Sequence, residues 1–235
     1  MLKLPLSDRL LACCRFVRPG DRVADVGCDH GYLGIHLLLS GTASSVLAGD
    51  VRVKPLEKAR INGAKYGVQD KMQFFLSDGV QKMPHDFDTM VCAGMGGDTM
   101  VSILYHAPWL RDPHYRLILQ CQTKNHILRR YLSENGWEIQ EEEALRDGHF
   151  LYTIMVVAYT GNCDTLTPGQ YFLPPALLAH KSREVSEHYA RMLKMIRMSV
   201  LNRGEDADPV MKQAMTELEN LAENPDFQWL KEVTL

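Results

Sequence analysis

The stretch Val23-Ala24-Asp25-Val26-Gly27-Cys28-Asp29-His30-Gly31-Tyr32-Leu33 decides how the rest of the chain is read. Its first residues suit a short buried strand, Gly27 and Gly31 bracket a turn, and Tyr32-Leu33 open an apolar helix. A strand that hands a glycine turn to a helix N-terminus presents backbone N–H groups to a nucleotide-like ligand. Here the turn also carries two acids, Asp25 and Asp29.

Before this stretch, Ser7 caps a pattern over 7–17 that is apolar at Leu10, Leu11, Cys14 and Val17, the spacing of an amphipathic helix. Pro19-Gly20-Asp21 stops it. After it, the chain predicts a helix over 32–40 that ends at Gly41 and a strand over 45–50 that ends in Asp50. A helix over 55–66 has Pro55 near its first turn and Gly67 after its end. A strand over 72–76 runs into Ser77-Asp78-Gly79, and one over 87–93 runs into Gly94-Met95-Gly96-Gly97. A helix over 98–106, capped by Asp98 or Thr99, a strand over 116–120 and a helix over 125–134 follow. Between the last two strands, 138–145 and 151–159, stands only Arg146-Asp147-Gly148-His149. Alternating strands and helices imply a parallel, doubly wound sheet of the α/β class, and the closing pair implies one antiparallel strand at its edge. That combination is the Rossmann-like, seven-stranded methyltransferase variant.

Turn formers gather over 161–173, which reads as a linker between a domain over 1–160 and a second over 174–235. The second is helical. Leu178, Val185, Tyr189, Met192 and Ile196 form one apolar stripe, and Met211, Ala214, Met215, Leu218, Leu221 and Ala222 form another after a break at Arg203-Gly204-Glu205 and Pro209. An antiparallel, coiled-coil-like helical hairpin fits. Residues 174–203 hold six Lys/Arg against two acids, a net of +4, and residues 204–235 hold two bases against eight acids, a net of −6. Two helices of opposite charge can attract one another across an exposed seam. Alternatively the first helix, through Arg191, Lys194 and Arg197, offers its basic face to phosphates.

Composition narrows the classes. The 235 residues are 46% hydrophobic and 23% charged, enough for a sizeable core and too apolar for disorder. No run of about 18 apolar residues exists to span a bilayer, and Met1 to Leu6 is too short for a signal sequence, so a leaderless, cytoplasmic protein is expected. Six cysteines form no C-x-x-C pair and no Cys/His pair at zinc spacing, so neither a metal nor a disulfide scaffold is expected. The net charge of −3 leaves any polyanion claim to local charge, and the oligomeric state stays open.

Acids discriminate among ligands. A fold that binds pyrophosphate normally uses G-x-G-x-x-G and an uncluttered helix N-terminus. Gly27-x-x-x-Gly31 is instead ringed by Asp25, Asp29 and Asp50, which would repel a pyrophosphate but suit a ligand with an ammonium and a positive sulfur. S-adenosylmethionine is such a ligand. Asp50, at a strand end, is placed to accept from both ribose hydroxyls, and Asp78 from an adenine amino group. Ala93-Gly94-Met95-Gly96-Gly97 falls where methyltransferases put the loop that faces the acceptor, and its glycines leave room for a flat ring. The Asn/Asp-Pro-Pro-aromatic signature of many nucleic-acid amino-methyltransferases is absent there.

Leu6-Ser7-Asp8-Arg9-Leu10, the opening stretch from Ala24 to Leu33, Ala48-Gly49-Asp50-Val51 and Ala93-Gly94-Met95-Gly96-Gly97 together resemble the bacterial TrmK family of tRNA adenine-22 N1-methyltransferases. The match runs in order through the amino-terminal domain and includes a helical appendage. Cys28 and Gly31 stand where family members often have Ser and Ala. The resemblance implies methylation of N1 of an adenine in the tRNA D-arm region, with tRNA as partner. It implies a cofactor site made of Asp25, Gly27, Cys28, Asp29, Gly31, Asp50, Val51, Asp78, Gly79, Ala93, Gly94 and Met95. Gly96, Gly97, Arg9, Arg191, Lys194 and Arg197 are the candidates for contact with RNA.

Adenine N1 already carries a lone pair, so catalysis is mainly alignment and exclusion of water, after a paired or stacked base has been flipped out. Methylation makes the ring cationic. Asp29 is the candidate to stabilise that charge or take a proton, and His30 to orient the base or help in the transfer. Tyr32 could stack on a base or pack its helix. The rival readings are a methyltransferase for a small molecule or protein, and a non-catalytic RNA-binding protein that keeps the cofactor fold.

Overall fold

A computed structural model describes residues 4–163 and 165–232. The expected bounds 1–160, 161–173 and 174–235 include residues 1–3, 164 and 233–235, which lie outside the described residues.

Helix α1 (Asp8–Arg15) begins where the Ser7 hydroxyl oxygen accepts from the Leu10 N–H. The core then alternates β1 (Arg22–Val26), α2 (Tyr32–Leu39), β2 (Ser45–Asp50), α3 (Val53–Lys65), β3 (Met72–Leu76), β4 (Thr89–Gly96), α4 (Gly97–Tyr105), β5 (Arg116–Thr123) and α5 (Asn125–Glu134), and ends with β6 (Trp137–Asp147) and β7 (Phe150–Tyr159). The seven strands form one sheet in the order β3-β2-β1-β4-β5-β7-β6. One face is covered by α1, α2 and α3 through Cys13, Leu33, Ile35 and Ala59, and the other by α4 and α5 through Met100, Leu104, Leu128 and Leu132. The expected doubly wound fold is there.

Two expectations need correction. The antiparallel strand is not at the edge: β7 pairs antiparallel with both β5 and β6 and lies between them, so β6 is the edge. The side chains explain the order. Ile154, Met155, Val156 and Val157 of β7 are all buried and suit an interior strand, whereas β6 leaves Glu138 exposed and Glu141 and Glu143 half-buried and suits an edge. The second correction is that Gly94-Met95-Gly96 is not a loop: β4 continues through it to Gly96 beside β5, with register irregularities at Met95. The residue that caps α4 is accordingly Gly96, not Asp98 or Thr99.

Beyond the sheet, part of the expected linker is a short helix, α6 (Pro168–Phe172), closed by a capping box between Thr167 and Gln170. It is followed by α7 (Pro175–Leu178), α8 (Arg183–Arg203), α9 (Pro209–Glu223) and a 3-10 stretch, Pro225–Lys231. The expected hairpin is α8 and α9, but its core is shared. Phe172, Leu173, Leu177 and Leu230 pack with Val185, Ile196, Ala214 and Leu218, and Ala144 of β6 joins them.

The junction with the sheet is polar and fully buried. Arg129 of α5 donates to both oxygens of Glu142 on β6, at 3.2 and 2.6 Å, and to the carbonyls of Tyr171 and Phe172 at the end of α6. These are carbonyls that a helix C-terminus leaves without an internal partner. Burial, and then the Arg129 charge, push His188 down to about 3, so its neutral ring donates through Nε2 to the Phe172 carbonyl at 3.0 Å.

Candidate functional site

A cavity of about 770 Å³ opens past the carboxyl ends of β1 to β4, where an open α/β sheet places its ligands. Its floor is the opening stretch. The Gly27 and Cys28 N–H groups both donate to the Gly49 carbonyl, at 2.8 and 2.9 Å, which fixes the turn to β2. Gly27 has φ +72°, which a side chain would strain, and a Cβ there would lie 2.3 Å from the Met95 methyl and push that flexible side chain aside. Asp29 takes φ +48° without being glycine, a strained backbone of the kind found at functional sites.

The acids converge here. Asp25 is 5% exposed, and its Oδ2 has no hydrogen-bond partner among the described residues. Burial pushes its carboxyl up to about 7; a backbone N–H at Gly34 works against this, and the nearby Asp50 and Asp29 reinforce it. The buried Asp50 accepts from the Arg52 N–H through Oδ1, at 2.8 Å, and from the Asp29 N–H through Oδ2, at 3.2 Å. Oδ1 also accepts from Arg52 Nε at 3.4 Å, so these bonds fix the carboxylate and leave Oδ2 the freer acceptor. Asp29 stands at the rim, with Arg52 Nη2 3.7 Å from one oxygen and His30 Nδ1 3.8 Å from the other. Asp78 is exposed and lines the cavity, as do Val51 and Gly79. Burial, and then Asp25, push the Cys28 thiol far above its ordinary range, so it is protonated and not a nucleophile.

The donor demand of this cavity tests the expected cofactor. Carboxylates in excess, one with a buried oxygen left unsatisfied, ask for positive charge and N–H or O–H donors. The ammonium, sulfonium, ribose hydroxyls and adenine amino group of S-adenosylmethionine answer that demand, and a pyrophosphate does not.

The other wall is built from β4, β5 and α1. Gln120 is fully buried, and its Oε1 accepts from the Gly94 N–H at 3.0 Å and from Arg9 Nη1. Arg9 also lies 3.8 Å from Asp147 and over the Tyr152 ring. Arg9, Ala93, Gly94, Met95, Gln122 and Thr99 line this side.

The cavity thus gathers Arg9, Asp25, Gly27, Cys28, Asp29, His30, Asp50, Val51, Asp78, Gly79, Ala93, Gly94 and Met95, and Tyr32 with them. Three glycines expected to face ligands do not line it. Gly31 caps α2, and a Cβ there would meet Ala59 of α3 at 2.9 Å. Gly96 lies against Thr123, and a Cβ on Gly97 would be 2.4 Å from the Lys124 carbonyl, so both are small to let α4 start beside β5 rather than to admit a flat ring. Arg191, Lys194 and Arg197 are exposed on α8 and do not line the cavity either. Arg197 bonds Glu219 of α9 at 2.8 Å, the seam attraction that opposite charges suggest, while Arg191 and Lys194 make no ion pair among the described residues. Reading by sequence missed Arg52, Ser77, Thr99, Gln120 and Gln122. Two glutamines at alternate places in an otherwise apolar strand were the available signal for the last pair.

Residues 6–155 match the model of a family described as a methyltransferase domain. The chain belongs to that methyltransferase domain family. The matched span holds every residue lining the cavity except Pro5. A putative tRNA methyltransferase of Mycoplasma pneumoniae is 31% identical over 72% of this chain and 79% of its own length. The tRNA (adenine(22)-N(1))-methyltransferase of Bacillus subtilis is 28% identical over 72% of this chain and 71% of its own. Among solved structures, a putative tRNA (m1A22) methyltransferase of Streptococcus pneumoniae, in complex with S-adenosyl-L-methionine, superposes with a TM-score of 0.80 at 26% identity, over 92% of this chain and 98% of that one. The resemblance to the TrmK family seen in the sequence is borne out by these matches. Among the described residues, no helix is long and apolar enough to cross a membrane.

Proposed function

We propose that this chain is an S-adenosylmethionine-dependent tRNA methyltransferase that modifies N1 of an adenine, position 22 in the D-arm region. The observation that carries the reading is the acid-lined cavity with an Asp25 oxygen left without a partner among the described residues, in a chain that is 28% identical over 72% of its length to a tRNA (adenine(22)-N(1))-methyltransferase. When bound, the cofactor supplies a methyl group made electrophilic by a sulfonium.

The protein's own residues do the rest. Asp25 takes the ammonium end, Asp50 the ribose hydroxyls and Asp78 the adenine amino group, each a charge-assisted acceptor for a ligand donor. The target base enters on the side of Arg9 and Gly94, where walls from α1, β4 and β5 fix its approach and keep water out. Asp29, flanked by Arg52 and His30, faces the positive charge that develops on the methylated ring or accepts a proton from the exocyclic amine, with His30 orienting the base. No covalent nucleophile is required. Arg9 and the bases of α8 without an ion pair among the described residues, Arg191 and Lys194, meet phosphates, with the sheet domain and the unit built on α8 and α9 acting as two parts of one RNA-binding surface. The same reading makes this a cytoplasmic enzyme.

Position is tested with paired transcripts of one tRNA that carry adenine or guanine at 22. Methyl transfer to the first and none to the second is expected; equal transfer to both contradicts the assignment.

A further inference from the structure

The β6–β7 hairpin carries an exposed aromatic that neither the cofactor site nor the core uses. Phe150 opens β7 with 63% of its surface exposed. Because β7 runs antiparallel to β5, its first residue lies at the end of the sheet where the parallel strands deliver their carboxyl ends, and hence at the end that holds the cavity. Phe150 and Tyr152 are two residues apart on one strand and therefore share a face, with ring centroids 6.3 Å apart at 45°. The Arg9 guanidinium lies 5.4 Å over the Tyr152 ring. Arg9 in turn bonds the Gln120 oxygen that also holds the Gly94 N–H, and it lies 3.8 Å from Asp147 in the same hairpin. A continuous path of contacts therefore leads from the acceptor wall of the cavity through Arg9 and Tyr152 to Phe150.

Single exposed apolar side chains are ordinary on protein surfaces. This one differs by its place. A base drawn out of its stack leaves the neighbouring nucleotides with bare faces, and RNA-binding surfaces cover such faces with aromatic rings and guanidinium planes. We propose that Phe150, backed by Tyr152 and aligned by Arg9, is the stacking platform for a nucleotide next to the target adenine. Phe150 is a positioning residue: it fixes where the RNA lies, and Arg9, oriented by Gln120, Asp147 and Tyr152, ties that position to the mouth of the cavity. This inference rests on the tRNA reading above and adds to it which element of the protein receives the flanking RNA.

The test uses the full chain with an unmodified tRNA transcript. Phe150→Ala, which removes an exposed ring, is expected to weaken tRNA binding and raise the tRNA KM by roughly tenfold, the scale of one lost base-stacking contact. Its kcat stays within about twofold, and its cofactor affinity by calorimetry and its thermal midpoint stay at the wild-type values, as loss of a contact only to flanking RNA requires. Phe150→Trp is expected to keep the wild-type KM and to gain a fluorescence signal that tRNA quenches beyond the quenching of the wild-type protein. A wild-type KM in Phe150→Ala, or no added quenching in Phe150→Trp at saturating tRNA, overturns the platform. The readings above it separate cleanly. Wild-type protein that binds tRNA in a Phe150-dependent way but transfers no methyl group refutes the enzyme and keeps the platform, and protein that does not bind tRNA refutes both.

Discussion

Arg129 and Asp25 are both buried ionisable groups, and the protein treats them in opposite ways. Arg129 is 1% exposed, with both Glu142 oxygens and two carbonyls around it. Asp25 is also buried, in the sheet domain, yet one of its oxygens has no partner among the described residues and the charges that act on it are the like charges of Asp50 and Asp29. Burying a charge is unfavourable unless it is paired and hydrogen-bonded. The first group meets that condition within the fold and holds α6 to the sheet. The second does not meet it among the described residues; burial keeps its proton on up to about pH 7, and in the proposed reading a cationic ligand supplies the missing partner. A charge completed by the fold marks structure, and a charge left incomplete beside a cavity marks function.

The largest effect that follows is at the completed pair. Arg129→Met leaves Glu142 buried without a partner and should lower unfolding stability in denaturant by about 3–5 kcal/mol. Adding Glu142→Leu should recover most of the loss. A single variant as stable as the wild type would break the comparison at its first term. At the incomplete site the effects fall on function instead. Asp29→Asn should reduce turnover about a hundredfold while cofactor affinity changes little, as for loss of a general base; intact turnover removes the carboxylate from the chemistry. Asp50→Ala should weaken S-adenosylmethionine binding by about 1.5–3 kcal/mol in calorimetry. Unchanged affinity would assign the ribose to another residue.

Acidity sharpens the contrast further. Asp25 holds its proton up to about pH 7, and a cationic ligand favours the deprotonated form. Cofactor affinity should therefore climb as pH rises toward 7, by up to about tenfold per unit, and level off above it. Asp25→Asn should flatten that profile. The ligand-free protein runs the other way. Because the folded state binds this proton more tightly than the unfolded chain, the stability contributed by protonated Asp25 is full below its ordinary pKa of 3.8 and is lost as pH rises through about 7. The smallest effect belongs to the exposed bases. Charge reversal at Arg191 and Lys194 should raise the tRNA KM several-fold and flatten its salt dependence, as expected when phosphate contacts are lost. A helix that serves only as a strut would change neither.

Much of this architecture is legible in local pattern. The strand that opens the Val23–Leu33 stretch, the strands over 45–50 and 72–76 and the helix over 125–134 stand where their apolar periods and turn residues put them. The acids at the strand ends also meet where a doubly wound sheet delivers them, since each strand carries its carboxyl end to the same side. What local pattern could not reach was set by partners distant in sequence. The insertion of β7 between β5 and β6 is a choice among pairings, and only the uninterrupted apolar run from Ile154 to Val157 hinted at an interior place. Gly97 looked like room for a ligand and is room for the Lys124 carbonyl. Gln120 drew no attention in the sequence, and its oxygen is what joins Arg9 to the acceptor wall.

The proposal is that the acid-lined cavity serves methyl transfer to an adenine N1. It is tested most directly by incubating the protein with methyl-labelled S-adenosylmethionine and unmodified bulk tRNA, digesting the RNA and separating the nucleosides. The expected result is label in 1-methyladenosine, present with the wild-type protein and strongly reduced with Asp29→Asn. Label in a different nucleoside, or no label in RNA from protein that binds the cofactor, contradicts it.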